Sequence, residues 1–190
     1  MIRDLIIENR TCRRFKQEVS IDLEVLRELV DLTRFTASGS NLQPLRYMLS
    51  NESRKNDLIF PTLGWAGQIA DWPGPAEGER PSAYIIMLAD TKVNNRFCEV
   101  DAGLATQSIM LGAREKGLGG CMHWSVKRDD LRPALDIPVR YEILYVLSLG
   151  KPDEKIIIEK VGSDGKTSYW HDEEGAHHVP KRELDDIIIG

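Results

Sequence analysis

The segment DAGLATQSIMLGAREKGLGG, residues 101–120, is the starting point for predicting the fold. From Asp101 to Lys116 it has the composition and spacing of one long helix, and three glycines follow within four residues. The apolar side chains lie on more than one face of that helix: Ala102, Leu104, Ala105, Ile109 and Leu111. Because an apolar stripe needs a neighbour to cover it, this pattern predicts a helix that is buried on several sides.

Two apolar segments on either side of this helix predict the central strands of a sheet. SAYIIMLAD, residues 82–90, is rich in β-branched and aromatic side chains, and YEILYVLSLG, residues 141–150, repeats the pattern. We also expect a short helix over residues 2–9, a strand at RYMLSN, and a hairpin over residues 155–172 with Asp164-Gly165 in its turn. No repeat or linker interrupts the chain, so residues 1–190 predict one α+β domain.

The composition is that of a folded domain without a nucleic-acid or membrane signature. The 190 residues are 42% hydrophobic and 29% charged, and the net charge is -5. A negative balance gives no electrostatic footprint for nucleic acid or for an anionic membrane. The longest apolar run, Ala83 to Ala89, is far shorter than the roughly 20 residues of a membrane span. Acids among the first ten residues argue against a secretory signal, and three scattered cysteines argue against a disulfide framework, so we expect a cytoplasmic location.

The common motifs of phosphate, metal and nucleophile sites are absent. Leu118 stands where a Walker motif needs lysine, and Met122 stands where the dinucleotide fingerprint needs its last glycine. The chain has no His-Glu-x-x-His helix, Cys-x-x-Cys pair or nucleophile elbow. His177 and His178 are adjacent, so their side chains diverge, and we interpret them as solvent-exposed rather than as metal ligands. An enzyme of this sequence would therefore rely on an organic cofactor.

The segment NRTCRRF, residues 9–15, carries anion-binding groups just after the first predicted helix. Arg10 and Arg13, with the hydroxyl of Thr11 between them, could converge on one phosphate as charge-assisted donors. The alternative is a solvated basic surface in which these arginines pair loosely with nearby glutamates.

A turn at ASGSNLQP, residues 37–44, has the polar groups of a binding wall. It holds two hydroxyls and two carboxamides, and Leu42 is its one sizeable apolar side chain. Asn41 and Gln43 each offer donors and an acceptor, so they could bind the edge of a flat heterocycle. Alternatively the segment is an amide-capped helix exit, with Gly39 in the left-handed conformation.

Two further segments offer contacts to a ligand. The VPKR segment ends in Lys181 and Arg182, which could close on the anion of residues 9–15 if the two ends of the chain meet. In GLGGCMHWSV, residues 117–126, the glycines permit close backbone approach, and Met122 and Trp124 could pack on an aromatic face. The alternative for the VPKR segment is a basic surface pair. The alternative for residues 117–126 is a simple connection between a helix and a strand.

Taken in order, these segments resemble the nitroreductase family of FMN-dependent oxidoreductases. Residues 9–15 are similar to the motif Arg-[Arg/His]-Ser-x-[Arg/Lys]-x-Phe, and residues 37–44 to the turn Ala/Pro-Ser-x-x-Asn-x-Gln-Pro. Residues 101–120 resemble the central helix of the family, and HHVPKRELDDII, residues 177–188, its closing phosphate segment. The short length and the loop over residues 65–84 resemble a compact branch.

The resemblance implies an α+β fold with a central, mostly antiparallel sheet flanked by helices, in an intertwined homodimer with an FMN at each interface. It implies that the FMN phosphate and ribityl end are held by Arg10, Thr11, Arg13, Lys181 and Arg182. The residues implied to reach the isoalloxazine from the partner subunit are Ala37, Ser38, Gly39 and Asn41, with Gln43 supporting the turn. The loop implied to lie along the ring near N5 consists of Met122, His123, Trp124 and Ser125.

The activity implied is transfer of hydride from NADH or NADPH through flavin N5 to a nitroaromatic, a quinone or a similar small acceptor, in alternating half-reactions. Two alternatives stay open: a specialised flavoenzyme of the same fold, such as a dehalogenase, and a non-catalytic flavin binder. In the second, His123 and Trp124 would block N5. Asn9 departs from the motif by replacing its first arginine. We interpret Cys12, inside the motif, as filler.

Overall fold

The fold is known from a computed structural model that describes residues 1–69, 72–93 and 96–190. The helices are α1 (Ile2–Glu8), α2 (Leu23–Asp31), α3 (Ser53–Ile59), α4 (Cys98–Glu115) and α5 (Arg128–Ala134). The strands are β1 (Phe15–Lys16), β2 (Leu45–Ser50), β3 (Ala83–Asp90), β4 (Gly119–His123), β5 (Tyr141–Pro152), β6 (Ile156–Lys160), β7 (Trp170–His171) and β8 (His177–Lys181). The predicted first helix and the strands β2, β3 and β5 are therefore confirmed. None of the described helices combines the length and apolarity needed to cross a membrane.

Strand β3 lies between β2 and β5 in the main sheet, and every one of its residues is buried. A strand covered on both faces needs apolar side chains at consecutive positions, which is the pattern of its sequence. Strand β5 also pairs with β4 and, at its end, with β1. All pairings of this sheet are antiparallel, as expected.

The two faces of the main sheet carry separate cores. Along β3, Ile85 and Met87 pack on one side against α2 and α4, whereas Tyr84 and Ile86 pack on the other side against α3 and α5. This alternation follows from the two-residue repeat of a strand. Full burial of one such side chain contributes about 1.5–3 kcal/mol relative to exposure, so the sheet is fixed from both sides.

Helix α4 packs one face on the sheet and exposes the opposite face. Ala102, Ala105 and Ile109 are fully buried, but Val100 is 60% exposed and Leu104 is 45% exposed. The expectation that this helix is buried on several sides is therefore wrong for the single chain. Within one chain, the sheet and α2 cover the inner stripe, and the outer apolar residues lie at the surface.

The C-terminal strands form a second, three-stranded sheet in the order β6-β8-β7. Strand β8 runs parallel to β6 and antiparallel to β7. The predicted hairpin over residues 155–172 is therefore wrong, because its two strands each pair with β8 and not with each other. The turn at Gly165 does form, with φ +70° and an N–H bond to the carbonyl of Gly162 at 2.9 Å. The local turn does not pair β6 with β7, because β8 lies between them and pairs with one of these strands on each of its edges. Residues 70 and 71, in the loop over residues 65–84 that resembles a compact branch, lie outside the described residues.

Candidate functional site

A cavity of about 420 Å³ lies beside Arg10, where α1 ends. The Arg10 guanidinium donates from Nη2 to a carbonyl of α1 at 2.6 Å, and its Nε is buried without a hydrogen-bond partner among the described residues. On the same cavity, Arg114 of α4 donates to Glu8 from Nε and Nη2, at 3.1 and 2.8 Å. Thr11 is exposed and forms a parallel β-bridge with Gly120. The predicted anion segment therefore lies at the start of β4.

Arg13 has surroundings different from those of Arg10. It is buried, its guanidinium lies over the ring of Tyr169 with Cζ 4.8 Å from the centroid, and its backbone N–H donates to Oε2 of Glu154 at 2.8 Å. Its Nε and Nη1 have no hydrogen-bond partner within the part of the chain that is described. A ring of the C-terminal segment thus covers Arg13, whereas Arg10 faces the cavity, so this chain does not bring the two side chains onto one point.

The turn of residues 37–44 is held by Asp101, in the first turn of α4. The carboxylate is buried, and it accepts from the hydroxyl of Ser38 at 2.7 Å and from the N–H of Gly39 at 2.9 Å. The Ser38 oxygen in turn accepts from the N–H of Gln43 at 3.0 Å. These bonds fix both ends of the turn. They place it beside a cavity of about 210 Å³ that Ser38, Asn41, Gln43 and Asp101 help to line.

The backbone of this turn is strained at three residues that are not glycine. Ser40, Asn41 and Gln43 have φ of 51°, 53° and 51°. The prediction that Gly39 takes the left-handed conformation is therefore wrong. Its amide is held by Asp101, and a Cβ at this position would meet Phe97 Cδ2 at 2.8 Å. The chain reverses after the anchored residue, at a cost of about 1–2 kcal/mol for each left-handed residue that is not glycine.

The two carboxamides of the turn bond to each other. The Nε2 of Gln43 lies 3.2 Å from both the carbonyl and the Oδ1 of Asn41, and both side chains are exposed. Ala37 is also exposed. The amides therefore form a preformed polar edge at the surface, and this edge is available to a ligand that approaches from outside the chain.

His123 is a buried structural residue. Its Nδ1 lies 3.1 Å from the carbonyl of Gly64 and its Nε2 lies 2.9 Å from the hydroxyl of Ser148, while its ring packs edge-on against Trp65. Because a carbonyl can only accept, Nδ1 donates and Nε2 accepts from the hydroxyl. Burial lowers the pKa of His123 to about 4, so the ring is neutral. The imidazole is turned into the core, and it does not restrict access to the outer surface of β4.

The neighbours of His123 lie at the surface. Met122 is 47% exposed, and Trp124 is 55% exposed and stacks on Tyr145 with ring centroids 5.9 Å apart. Ser125 is exposed, and its carbonyl accepts from the N–H of Gly64 at 2.8 Å. Met122 and Trp124 thus supply an apolar surface that a flat ligand could cover.

Lys181 is the last residue of β8, Arg182 follows it, and both are exposed. The backbone carbonyl of Lys181 accepts from the N–H of Val161 at 3.0 Å. Neither side chain lines the cavity beside Arg10. The single chain therefore does not bring these two cations to the predicted anion segment.

The prediction that His177 and His178 are solvent-exposed is wrong. They are 1% and 8% exposed, because β8 is the middle strand of the C-terminal sheet. Their side chains do diverge. His177 Nδ1 lies 2.9 Å from His171 Nε2, and His178 lies between Glu159 and Asp172. The missed signal was HDEEGAHH, residues 171–178, in which a glycine turn places His171 opposite His177.

Comparison with known proteins assigns this arrangement to a family. Residues 6–151 match the family model described as Nitroreductase family. A chloronitrobenzene nitroreductase of Comamonas testosteroni is 24% identical over 84% of this chain and 90% of its own length. A nitrobenzene nitroreductase of Ectopseudomonas oleovorans is 22% identical over 90% of this chain and 97% of its own.

Solved structures agree with the family model. A Desulfovibrio desulfuricans protein solved in complex with FMN has a TM-score of 0.71 at 19% identity, over 100% of this chain and 95% of that one. This likeness confirms the expected α+β fold with its mostly antiparallel sheet. Since the family model also covers more than half of the sequence, the chain belongs to the nitroreductase family.

Proposed function

We propose that this chain is the subunit of an FMN-dependent oxidoreductase that passes hydride from NADH or NADPH to a nitroaromatic, a quinone or a similar small acceptor. The names of the two curated relatives, which act on chloronitrobenzene and nitrobenzene, support the acceptor class. The FMN in the Desulfovibrio desulfuricans structure supports the cofactor.

The observation that carries the cofactor proposal is a set of buried donors without acceptors. Nε of Arg10, and Nε and Nη1 of Arg13, have no hydrogen-bond partner among the described residues. Leaving such a donor unpaired in the interior costs about 1–3 kcal/mol, so these nitrogens favour an anionic partner from outside the chain. The phosphate of FMN has that chemistry, and its charge suits guanidinium groups. Arg10, which faces the cavity, therefore fits the cofactor, whereas Arg13 is covered by Tyr169 in the single chain.

The positions of the two halves of the site support a homodimer. The turn of residues 37–44 is held by Asp101 near the start of α4, whereas the cavity of Arg10 is bounded by Arg114 near its end. These helix positions are 13 residues apart, which at 1.5 Å per residue is about 20 Å. An antiparallel, two-fold pairing of the exposed faces of α4 brings the start of one helix to the end of the other. Val100 and Leu104, the exposed apolar residues of that face, suit such an interface.

In the proposed dimer each segment has a defined task. The residues that would hold the phosphate and ribityl end are Arg10, Thr11, Arg13, Lys181 and Arg182. The partner subunit's turn would present Ala37, Ser38, Gly39 and Asn41 to the ring, with Gln43 bonded behind Asn41. The loop of Met122, His123, Trp124 and Ser125 would offer backbone N–H groups and the apolar surfaces of Met122 and Trp124, which exclude water from one side of the site.

His123, the one titratable side chain of this loop, supplies no proton to a ligand. Both nitrogens of His123 are bonded in the core and its pKa is lowered to about 4, so it is neither an acid nor a base toward a ligand. FMN, when bound, supplies the two-electron chemistry, and the chain binds and orients it. An enzyme of this kind needs no triad or catalytic metal in the protein.

The first test is the visible absorbance of the purified protein. We expect the yellow spectrum of oxidised flavin, present after purification or after addition of FMN, and its bleaching by NADPH or NADH without oxygen. Flavin that binds but resists both nicotinamides would identify a passive binder. A protein that does not bind FMN would contradict the proposal.

The second test separates a shared site from a site within one chain. We would co-purify a heterodimer, each subunit carrying its own tag, of Arg10→Glu and Asn41→Asp chains. If the site is shared, one of its two sites is unaltered and the heterodimer binds one FMN, while neither homodimer binds well. A flavin-free heterodimer would contradict the shared site.

A third test addresses the interface itself. We expect Val100→Arg to give monomers that lose FMN, because it puts a charge on the exposed face of α4. Val139→Arg is the matched control, since Val139 is 89% exposed and lies outside α4. Light scattering after gel filtration measures the mass of both variants. A dimeric Val100→Arg protein would exclude this face as the interface.

A further inference from the structure

We propose that Glu154, His171 and His177 form a binding site for one divalent transition-metal ion, with Zn²⁺ as the preferred ion and water as the remaining ligand. Within residues 1–69, 72–93 and 96–190, these three side chains bring one ligand atom each to within 4.8 Å of the others. The two histidines lie in the C-terminal sheet and Glu154 lies just before its first strand. All three residues lie outside the family match of residues 6–151.

The spacing of the ligand atoms suits tetrahedral coordination. Nε2 of His171 lies 3.4 Å from Oε1 of Glu154, Nδ1 of His177 lies 3.6 Å from the same oxygen, and the two nitrogens are 2.9 Å apart. Zinc binds histidine nitrogen at about 2.0–2.1 Å and carboxylate oxygen at about 2.0–2.2 Å, so neighbouring ligand atoms of a tetrahedron are about 3.3–3.5 Å apart. The three distances bracket that range, and small side-chain rotations suffice to reach it.

Backbone pairing holds the three ligands in place. His171 and His177 are directly opposite each other in the antiparallel pair of β7 and β8. The N–H of His177 donates to the carbonyl of Lys155 at 2.8 Å, which fixes β8 beside Glu154. The second carboxylate oxygen of Glu154 accepts from the backbone N–H of Arg13 at 2.8 Å, so Oε1 is left for the metal. Such outer contacts are what orient the ligands of metal sites.

Burial and charge also favour a cation here. The side chain of Glu154 is 1% exposed and that of His177 is 2% exposed. In the described part of the chain, no lysine or arginine forms an ion pair with this carboxylate. A buried carboxylate needs a compensating positive charge, and a metal ion held by neutral imidazoles provides one. His171 is 15% exposed, which leaves room for a water ligand on its side.

One nearby group opposes the metal. The Arg13 guanidinium stacks on Tyr169, whose ring stacks in turn on His177 with centroids 5.2 Å apart. Its positive charge lowers the affinity for a second cation, and it favours the less charged alternative, a hydrogen-bonded His–His–Glu cluster. The two arrangements make different predictions for metal uptake.

A bound ion would join parts of the chain that are distant in sequence. Glu154 follows β5 and is bonded to the segment of Arg13, whereas both histidines belong to β7 and β8. The metal would therefore fasten the C-terminal sheet to the N-terminal anion segment. Its role would be structural, because metal binding stabilises a folded state that presents its ligands together.

The test is zinc binding by the full-length chain after removal of its affinity tag and treatment with EDTA. We expect one Zn²⁺ per chain, measured by competition with a chromophoric chelator, and a higher midpoint of thermal unfolding with zinc than without. His171→Ala and the isosteric Glu154→Gln should weaken zinc binding by at least about 100-fold, beyond the 10–100-fold typical of outer-shell changes. His178→Ala is the matched control, because His178 is buried on the same strand but bonds to other partners.

Each outcome decides the proposal. Circular dichroism confirms that the variants are folded, and Glu154→Gln keeps the shape of the side chain if His171→Ala does not fold. A native chain that takes up no zinc overturns the site, as does equal affinity in the native chain and in Glu154→Gln. The readout is independent of flavin, so it stands whether or not FMN is the cofactor.

Discussion

Replacing Asp101 by alanine should release the turn of residues 37–44 from helix α4. The buried carboxylate accepts from the hydroxyl of Ser38 at 2.7 Å and from the amide of Gly39 at 2.9 Å. Hydrogen bonds to a charged group contribute about 1.5–3 kcal/mol each, so the two bonds together are worth about 3–6 kcal/mol. Removing the carboxylate also removes the cost of burying a charge, and we therefore expect the lower value, about 3 kcal/mol. For a chain of this size that lowers the midpoint of thermal unfolding by roughly 6–12 °C.

The control is Glu99→Ala, which removes the same charge from the same turn of α4. Glu99 is exposed, so its loss removes a favourable interaction with the helix dipole of only about 0.3–1 kcal/mol. Thermal and urea unfolding of both variants, followed by circular dichroism, separates the anchor from the charge. Under the proposed function, Asp101→Ala should also weaken FMN binding, whereas Glu99→Ala should not.

The reasoning would be refuted if the two variants unfolded within about 1 °C of each other. That result would mean that the turn keeps its strained backbone without the carboxylate. The strain at Ser40, Asn41 and Gln43 would then be maintained by the local sequence and not by α4.

Other features of the fold give further expectations. Burial lowers the pKa of His123 to about 4 from its unfolded value of about 6.5, so the free energy of unfolding has its full value above pH 6.5 and falls by about 3 kcal/mol as the pH drops to 4. In urea titrations over that pH range, His123→Asn should lose this part of the pH dependence. An unchanged pH dependence in the variant would contradict the expectation. Gly120→Ala should destabilise the chain by about 3 kcal/mol, since its Cβ would lie 2.5 Å from a backbone carbonyl, whereas Gly67→Ala has open space and should be neutral within about 0.5 kcal/mol. Burial raises the pKa of the Cys12 thiol and shields it from reagents, whereas Cys98 is only half-buried. Mass spectrometry of the alkylated native chain should therefore find Cys98 modified first. Early modification of Cys12 would show that this residue does more than fill space in the core.

The parts of the fold that the sequence predicts are those fixed by local periodicity. Strands β3 and β5 are long apolar runs, and their burial on both faces follows from composition alone. The C-terminal sheet was mispredicted because pairing is a competition between strands. The Asp164-Gly165 turn is a strong local signal, but β8 has two edges and both β6 and β7 gain backbone hydrogen bonds from it.

For the candidate site, the sequence predicts which segments take part but not how they are arranged in space. The sequence shows that residues 37–44 are polar, but it does not show that Asp101, some 60 positions later, holds Ser38 and Gly39. It also places the left-handed conformation at glycine by steric preference, whereas the anchor moves the reversal to the residues that follow. The sequence left open whether His123 restricts access to a flavin, because strand alternation is visible in sequence but the identity of the buried face is not.

The failed expectation for α4 carries information about the assembly. Sequence pattern reflects every surface that is buried in the working protein, including surfaces covered by another subunit, whereas the single chain shows only its own contacts. Leu104 belongs to the predicted apolar pattern, Val100 lies just before that segment, and both are exposed, so these apolar side chains favour a partner surface that the single chain does not supply. The same helix separates the turn near its start from the arginine cavity near its end, and one two-fold partner across its exposed face would resolve both discrepancies. This agreement between an apolar surface and a divided polar site is the strongest argument for the proposed dimer.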